Sequence, residues 1–117
     1  MLTERSAPEE VVRVLLNDSK MTLGELSEMI GAAERSISRW ARGDKSIVIQ
    51  ERYLNAIDDL RYLHSVLGSS LAGAEFAHWM RTRNRRLGGE RPTTMIAADR
   101  YKEVKKAAEA FADGIPD

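Results

Sequence analysis

"TLGELSEMIGAAERSISRWARG" occupies residues 22–43, and the fold turns on how its two halves are read. The first half opens on Thr22 with Glu25 three residues on. That is a capping box, in which each side chain satisfies the other residue's backbone N–H at a helix start. Leu23, Leu26, Met29 and Ile30 then recur at helical spacing, and Gly31 follows as a C-cap glycine would. The second half, residues 33–42, closes at Gly43. At about 100° per residue, Ala33, Ile37, Trp40 and Ala41 share an arc of about 100°. Arg35, Arg39 and Arg42 fall within about 60° nearly opposite. One face suits a core; the other suits water or an anion.

Outward from this pair the chain reads as helices, with no convincing strand. Residues 8–17 carry Pro8 near the first helical position, Glu9 and Glu10 toward the positive end of the dipole, and an apolar face of Val11, Val12, Leu15 and Leu16. After a turn at "DKSIV", a long helix is predicted over 50–67, with Tyr53, Ile57, Leu60, His64 and Leu67 on one stripe. Leu54, Tyr62 and Val66 point elsewhere, which predicts a helix sandwiched between its own domain and either the C-terminal part or a second subunit. Gly68-Ser69-Ser70 marks the expected boundary between residues 1–67 and 68–117. Beyond it come a helix around "EFAHWM", an arginine-rich turn, a short helical turn "TTMIAA", and a last helix over 99–112 striped by Tyr101, Val104, Ala108 and Phe111. The expected class is all-α: a helix-turn-helix bundle followed by a small helical subdomain.

Composition narrows the function. The 117 residues hold 18 basic and 18 acidic side chains, so general coating of nucleic acid by net charge is excluded and positive charge must be concentrated locally. Residues 1–67 carry nine Lys/Arg against eleven Asp/Glu; residues 68–117 carry nine against seven. Cysteine is absent, which removes disulfides and thiolate chemistry and suits a cytoplasmic location. The start, "MLTERSAPEE", lacks a secretory pattern, and no apolar run approaches the roughly 20 residues of a membrane span. His64 and His78 have no second ligand at metal spacing, and Asp58-Asp59 are neighbours that do not face each other on a helix. No enzyme, cofactor or metal is expected.

A capped helix, a glycine turn and a second helix with one cationic face make the helix-turn-helix pattern, whose second helix enters the major groove. Arginine there reads guanine bidentately, and serine bonds bases or phosphates. The residues expected to face operator DNA are Thr22, Glu34, Arg35, Ser36, Ser38, Arg39, Arg42 and Lys45. Glu34 has two open roles: accepting from a cytosine amino group, or favouring a helix N-terminus. Leu26, Gly31, Ile37 and Ser38 make the segment resemble the helix-turn-helix of Cro/Xre-type repressors, with Ser27 where alanine is usual. One such unit reads a half-site, so a dimer is expected, with Leu54, Tyr62, Val66 and the surface around Trp79 as contact places.

The second half carries a further resemblance. Trp79, Asn84, Leu87, Gly88, Gly89, Pro92, Met95, Ile96 and Gly114 follow, in order and spacing, the C-terminal region of Xre/MbcA/ParS-type antitoxins. Arg83 departs from the small residue often found before the asparagine, and Met95-Ile96 from the usual leucines. The resemblance implies an antitoxin of a type II pair that blocks a RES-domain, NAD-degrading toxin and represses the shared operon. It implies a toxin-facing set of Trp79, Arg81, Arg83, Asn84, Arg85, Arg86, Arg91, Phe111, Gly114, Ile115, Pro116 and Asp117. Two readings of the five arginines in "RTRNRRLGGER" stand side by side: an anion or partner surface, or a solvated turn paired locally with Glu75, Glu90 or Asp99. Gly88-Gly89 reads as a tight turn needing positive φ, and Trp79 with Phe76 as core. The alternative function is a stand-alone repressor whose second half only dimerises.

Overall fold

The computed structural model describes residues 2–44 and 46–116. Among these described residues seven helices follow in order: α1 (Pro8–Asn17), α2 (Leu23–Ile30), α3 (Glu34–Ala41), α4 (Glu51–Leu67), α5 (Ala74–Arg81), α6 (Pro92–Ala97) and α7 (Tyr101–Ala112), with a 3₁₀ turn at Arg85–Leu87 before α6. Among the described residues there is no strand, only an isolated bridge between Asn84 and Glu90. Among the described residues, no helix is long and apolar enough to cross a membrane.

Local chemistry sets the helix ends. Pro8 stands in the first turn of α1 with Glu9 and Glu10 beside it. Both halves of the capping box form at α2: Thr22 N–H donates to Glu25 Oε1 at 2.9 Å, and Glu25 N–H to Thr22 Oγ1 at 3.0 Å. Gly31, at φ 83°, ends α2 in the left-handed conformation. Ala33, expected on the core face of α3, is instead its exposed N-cap residue. Its backbone is extended (ψ 145°), so the helical wheel does not extend to it.

α4 is the hub. It packs on α1 and α2 and also against α7. Ile57, Leu60 and Leu67 of the expected stripe are buried, Tyr53 and His64 half-buried, and Leu63, outside that stripe, is buried as well. The C-terminal part supplies the second cover: Tyr62 donates to Glu109 of α7 at 2.6 Å. α6 packs on both α2 and α7. One apolar cluster therefore runs from Val12 and Leu15 through Leu60 and Leu67 to Phe76, Met80, Met95 and Val104. The turn after Leu67 joins helices that share this core. Each fully buried large side chain in it contributes about 1.5–3 kcal/mol.

Candidate functional site

The basic helix is held from beneath. Ile37 and Trp40 are 0% and 3% exposed, and that anchoring turns the opposite face of α3 outward. Arg35 and Arg42 are exposed, Ser36 and Ser38 half-buried. Arg42 donates to Ser38 Oγ at 3.4 Å, whereas Arg35 has no hydrogen-bond or ion-pair partner among the described residues. Arg39 is engaged: its guanidinium meets Asp44 Oδ2 at 3.0 Å. The other oxygen of Asp44 accepts from Ser46 Oγ at 2.6 Å and Ser46 N–H at 3.0 Å. The Ser46 bonds first, then Arg39, hold the Asp44 carboxyl down at about 2. Lys45 lies outside the described residues.

One acid, one hydroxyl and one base near this face have definite places. A Cβ built on Gly24 would stand 3.9 Å from Glu34 Oε2, so the Glu34 carboxylate leans toward the first turn of α2, where the helix dipole favours it. Thr22 accepts within the capping box, which leaves its hydroxyl hydrogen to donate outward. Arg13 of α1 donates to the Ala41 carbonyl at 3.0 Å, satisfying a C-terminal carbonyl of α3. Sequence reasoning missed Arg13, because a contact across 28 residues leaves no local signal.

The arginine-rich turn is more structured than either reading of its sequence. Asn84 Oδ1 accepts from Arg86 N–H at 2.9 Å and caps the 3₁₀ turn. Asn84 N–H donates to the Glu90 carbonyl at 3.0 Å, and Gly89 N–H to the Asn84 carbonyl at 2.9 Å, closing the loop. Gly88 and Gly89 have φ of 65° and 86°, as a tight turn requires. Arg83 donates to the Gly89 carbonyl at 3.2 Å and Arg91 to the Arg81 carbonyl at 3.1 Å. Arg81, placed in the toxin-facing set, reaches back to α2 and grips both oxygens of Glu25 at 2.8 Å, and its partner is none of Glu75, Glu90 or Asp99. It also donates to the Lys20 carbonyl at 3.3 Å. The Arg81 hydrogen bond is the largest influence on Glu25 and lowers its pKa against the opposing effect of burial. Arg85 is exposed with no partner among the described residues, and Arg86 donates to the Ile115 carbonyl.

An aromatic surface lies at the end of α7. Phe76 is buried, as expected, but Trp79 is only half-buried, and its ring centroid stands 6.2 Å from that of Phe111. Phe111 is 39% and Ile115 54% exposed, two of the three large apolar side chains left open among the described residues. Gly114, at φ 73°, ends α7: its N–H donates to the Phe111 carbonyl at 3.1 Å and that of Ile115 to the Ala110 carbonyl at 3.0 Å. This pair of bonds is a Schellman motif. Pro116 is exposed; Asp117 lies outside the described residues.

Fold and surfaces define an all-helical helix-turn-helix protein with a second, partly apolar face formed by α5, α7 and the segment after α7. The chain is 35% identical over 94 residues to the probable mycobacterial cidal antitoxin Rv3188 of Mycobacterium tuberculosis, covering 80% of this chain and 78% of that protein. It is 26% identical over 95 residues to the mycobacterial cidal antitoxin MbcA of Mycobacterium bovis, covering 81% and 82%. Its fold matches a chain in the crystal structure of the M. tuberculosis MbcT–MbcA toxin–antitoxin complex with a TM-score of 0.78 and 23% identity, over 96% of this chain and 99% of that one. No family model matches the sequence. The chain belongs to the family of mycobacterial cidal antitoxins.

Proposed function

We propose that this antitoxin neutralises its toxin through the Trp79–Phe111–Ile115 surface and the segment that follows α7. The carrying observation is that the end of α7 holds the Trp79–Phe111 aromatic pair and two of the three exposed large apolar side chains among the described residues, Phe111 and Ile115. Exposed aromatic and aliphatic groups at one place are the usual anchors of a protein interface. A relative named in complex with a toxin, MbcT, supports a toxin as the partner. The resemblance to Xre/MbcA/ParS-type antitoxins points to a RES-domain, NAD-degrading toxin in the cytoplasm.

The same chain represses its own operon through α3. Arg35 and Arg42 contact the operator, and Ser36 and Ser38 let the helix approach. Arg85 adds positive charge toward an anionic partner. A dimer, or a higher complex with toxin, presents two α3 helices to half-sites about 34 Å apart. Neither role involves catalysis by this chain.

Co-expression with the toxin tests the neutralising role. A stable complex that stops NAD consumption is expected, and a Trp79→Ala, Phe111→Ala variant should lose it while keeping its thermal transition. Full inhibition by that variant would overturn the assignment.

A further inference from the structure

We infer that Arg86 is a positioning residue that fixes the direction in which the chain leaves α7, so that the segment from Asp113 to Pro116 is presented preformed rather than frayed. Its significance for neutralisation rests on the reading of that segment as toxin-facing.

Three local devices converge. The Asn84 side chain caps the 3₁₀ turn by accepting from Arg86's own N–H at 2.9 Å, which fixes the backbone from which the Arg86 side chain departs. The Asn84–Glu90 and Gly89–Asn84 backbone bonds, at 3.0 and 2.9 Å, lock that turn into a closed loop. From the other side, the Schellman bonds at Gly114 and Ile115 turn the chain sharply at the end of α7. Arg86 then donates from its guanidinium to the Ile115 carbonyl, tying the loop to the segment across 29 residues. The 3₁₀ turn also packs directly on α7. Arg86 itself is half-buried, lining a groove with Glu103, Lys106, Ala107 and Ala110.

Segments that leave a helix for the surface are ordinarily more mobile than the helix itself. A segment fixed at Gly114 by backbone bonds and at Ile115 by a guanidinium has lost most of that freedom before any partner arrives. Preorganisation of this kind strengthens binding by reducing the ordering cost at the interface. Removing the tie should therefore weaken toxin binding on the order of tenfold. The Ile115 side chain, 54% exposed, remains outward while its carbonyl is held.

The test uses the full chain with Arg86→Ala, and Lys102→Ala as a charge-loss control on the exposed side of α7. Amide hydrogen exchange at Gly114 and Ile115 is measured in the free antitoxin, alongside exchange of the α4 and α7 core as a check on folding. Arg86→Ala should speed exchange at Ile115 at least several-fold with the core unchanged, and Lys102→Ala should not. Unchanged exchange at Ile115 in Arg86→Ala overturns the inference. Toxin inhibition is then compared for Arg86→Ala and for removal of residues 113–117. A tenfold loss in Arg86→Ala supports the positioning role. Loss on truncation with none in Arg86→Ala overturns that role. If truncation also leaves inhibition intact, the toxin-facing reading of the segment fails, while the exchange result still decides whether Arg86 holds it.

Discussion

Arg35 and Arg39 stand one helical turn apart on α3 and have different surroundings. Arg39 is committed to Asp44, whose carboxyl Ser46 and Arg39 hold at about 2, whereas Arg35 has no partner among the described residues. Arg35→Ala should weaken operator binding about 5- to 150-fold, the loss of one bidentate base contact, and leave the melting temperature unchanged. A mobility-shift titration that finds no weakening would remove Arg35 from the interface. A second residue-scale prediction concerns Glu25, which completes the α2 cap and receives Arg81. Its folded pKa is lowered from the ordinary 4.5, so its stabilising effect is fully present above that value and is lost as pH falls through the lower folded one. Because the Arg81 side chain is 42% exposed, the pair contributes only about 1 kcal/mol. Glu25→Gln should lower stability by that order at pH 7, and the gap to the unmutated protein should narrow as pH falls below 4.5, read by urea denaturation across pH.

At the scale of elements, the seam between α4 and α7 contains an unfavourable charge. Burial first, then Asp58, raises the Asp59 carboxyl to about 6; Lys105 opposes and Asp99 adds to the rise. A carboxyl raised in the folded state is penalised once the unfolded chain ionises, so the cost grows as pH rises from the ordinary 3.8 to about 6 and stays at neutral pH. Discounted for partial exposure, Asp59→Asn should stabilise the protein by about 1 kcal/mol at pH 7 and by little at pH 3.5. Thermal melts at the two values check it; an equal effect at both would point to a cause other than ionisation. The sequence makes such elements legible and their seams far less so. Thr22, Glu25, Gly31 and Gly114 announced helix ends because caps act within a few residues. Trp79 reads as core and, by resemblance, as toxin-facing; it packs against the core half-buried, and its place beside Phe111 depends on how α5 meets α7. Arg81–Glu25 and Arg86–Ile115 join residues 56 and 29 positions apart, and no periodicity encodes such pairings.

Across the whole molecule, the boundary expected at Gly68 falls between helices that bury one another. α7 lies on α4 and α6 on α2, and Leu63 and Leu67 are 0% exposed within a core that includes Phe76, Met80 and Val104. The helix-turn-helix half is therefore completed by the half proposed to meet the toxin. The Arg81–Glu25 pair fastens that second half to α2, the helix before α3. A fragment of residues 1–67 would expose part of one face of α4 and the α6-facing side of α2. With about 1.5–3 kcal/mol at stake for each large side chain returned to water, uncovering only a few of them approaches the 5–15 kcal/mol by which whole domains are stable. The fragment should accordingly show weakened helical circular dichroism without a cooperative melt, and bind operator far less than the full chain. Removal of residues 113–117 should preserve both the melt and operator binding, since that deletion leaves the shared core in place. A cooperative, DNA-binding 1–67 fragment would show that the first half stands alone and that the C-terminal helices cover it without holding it up.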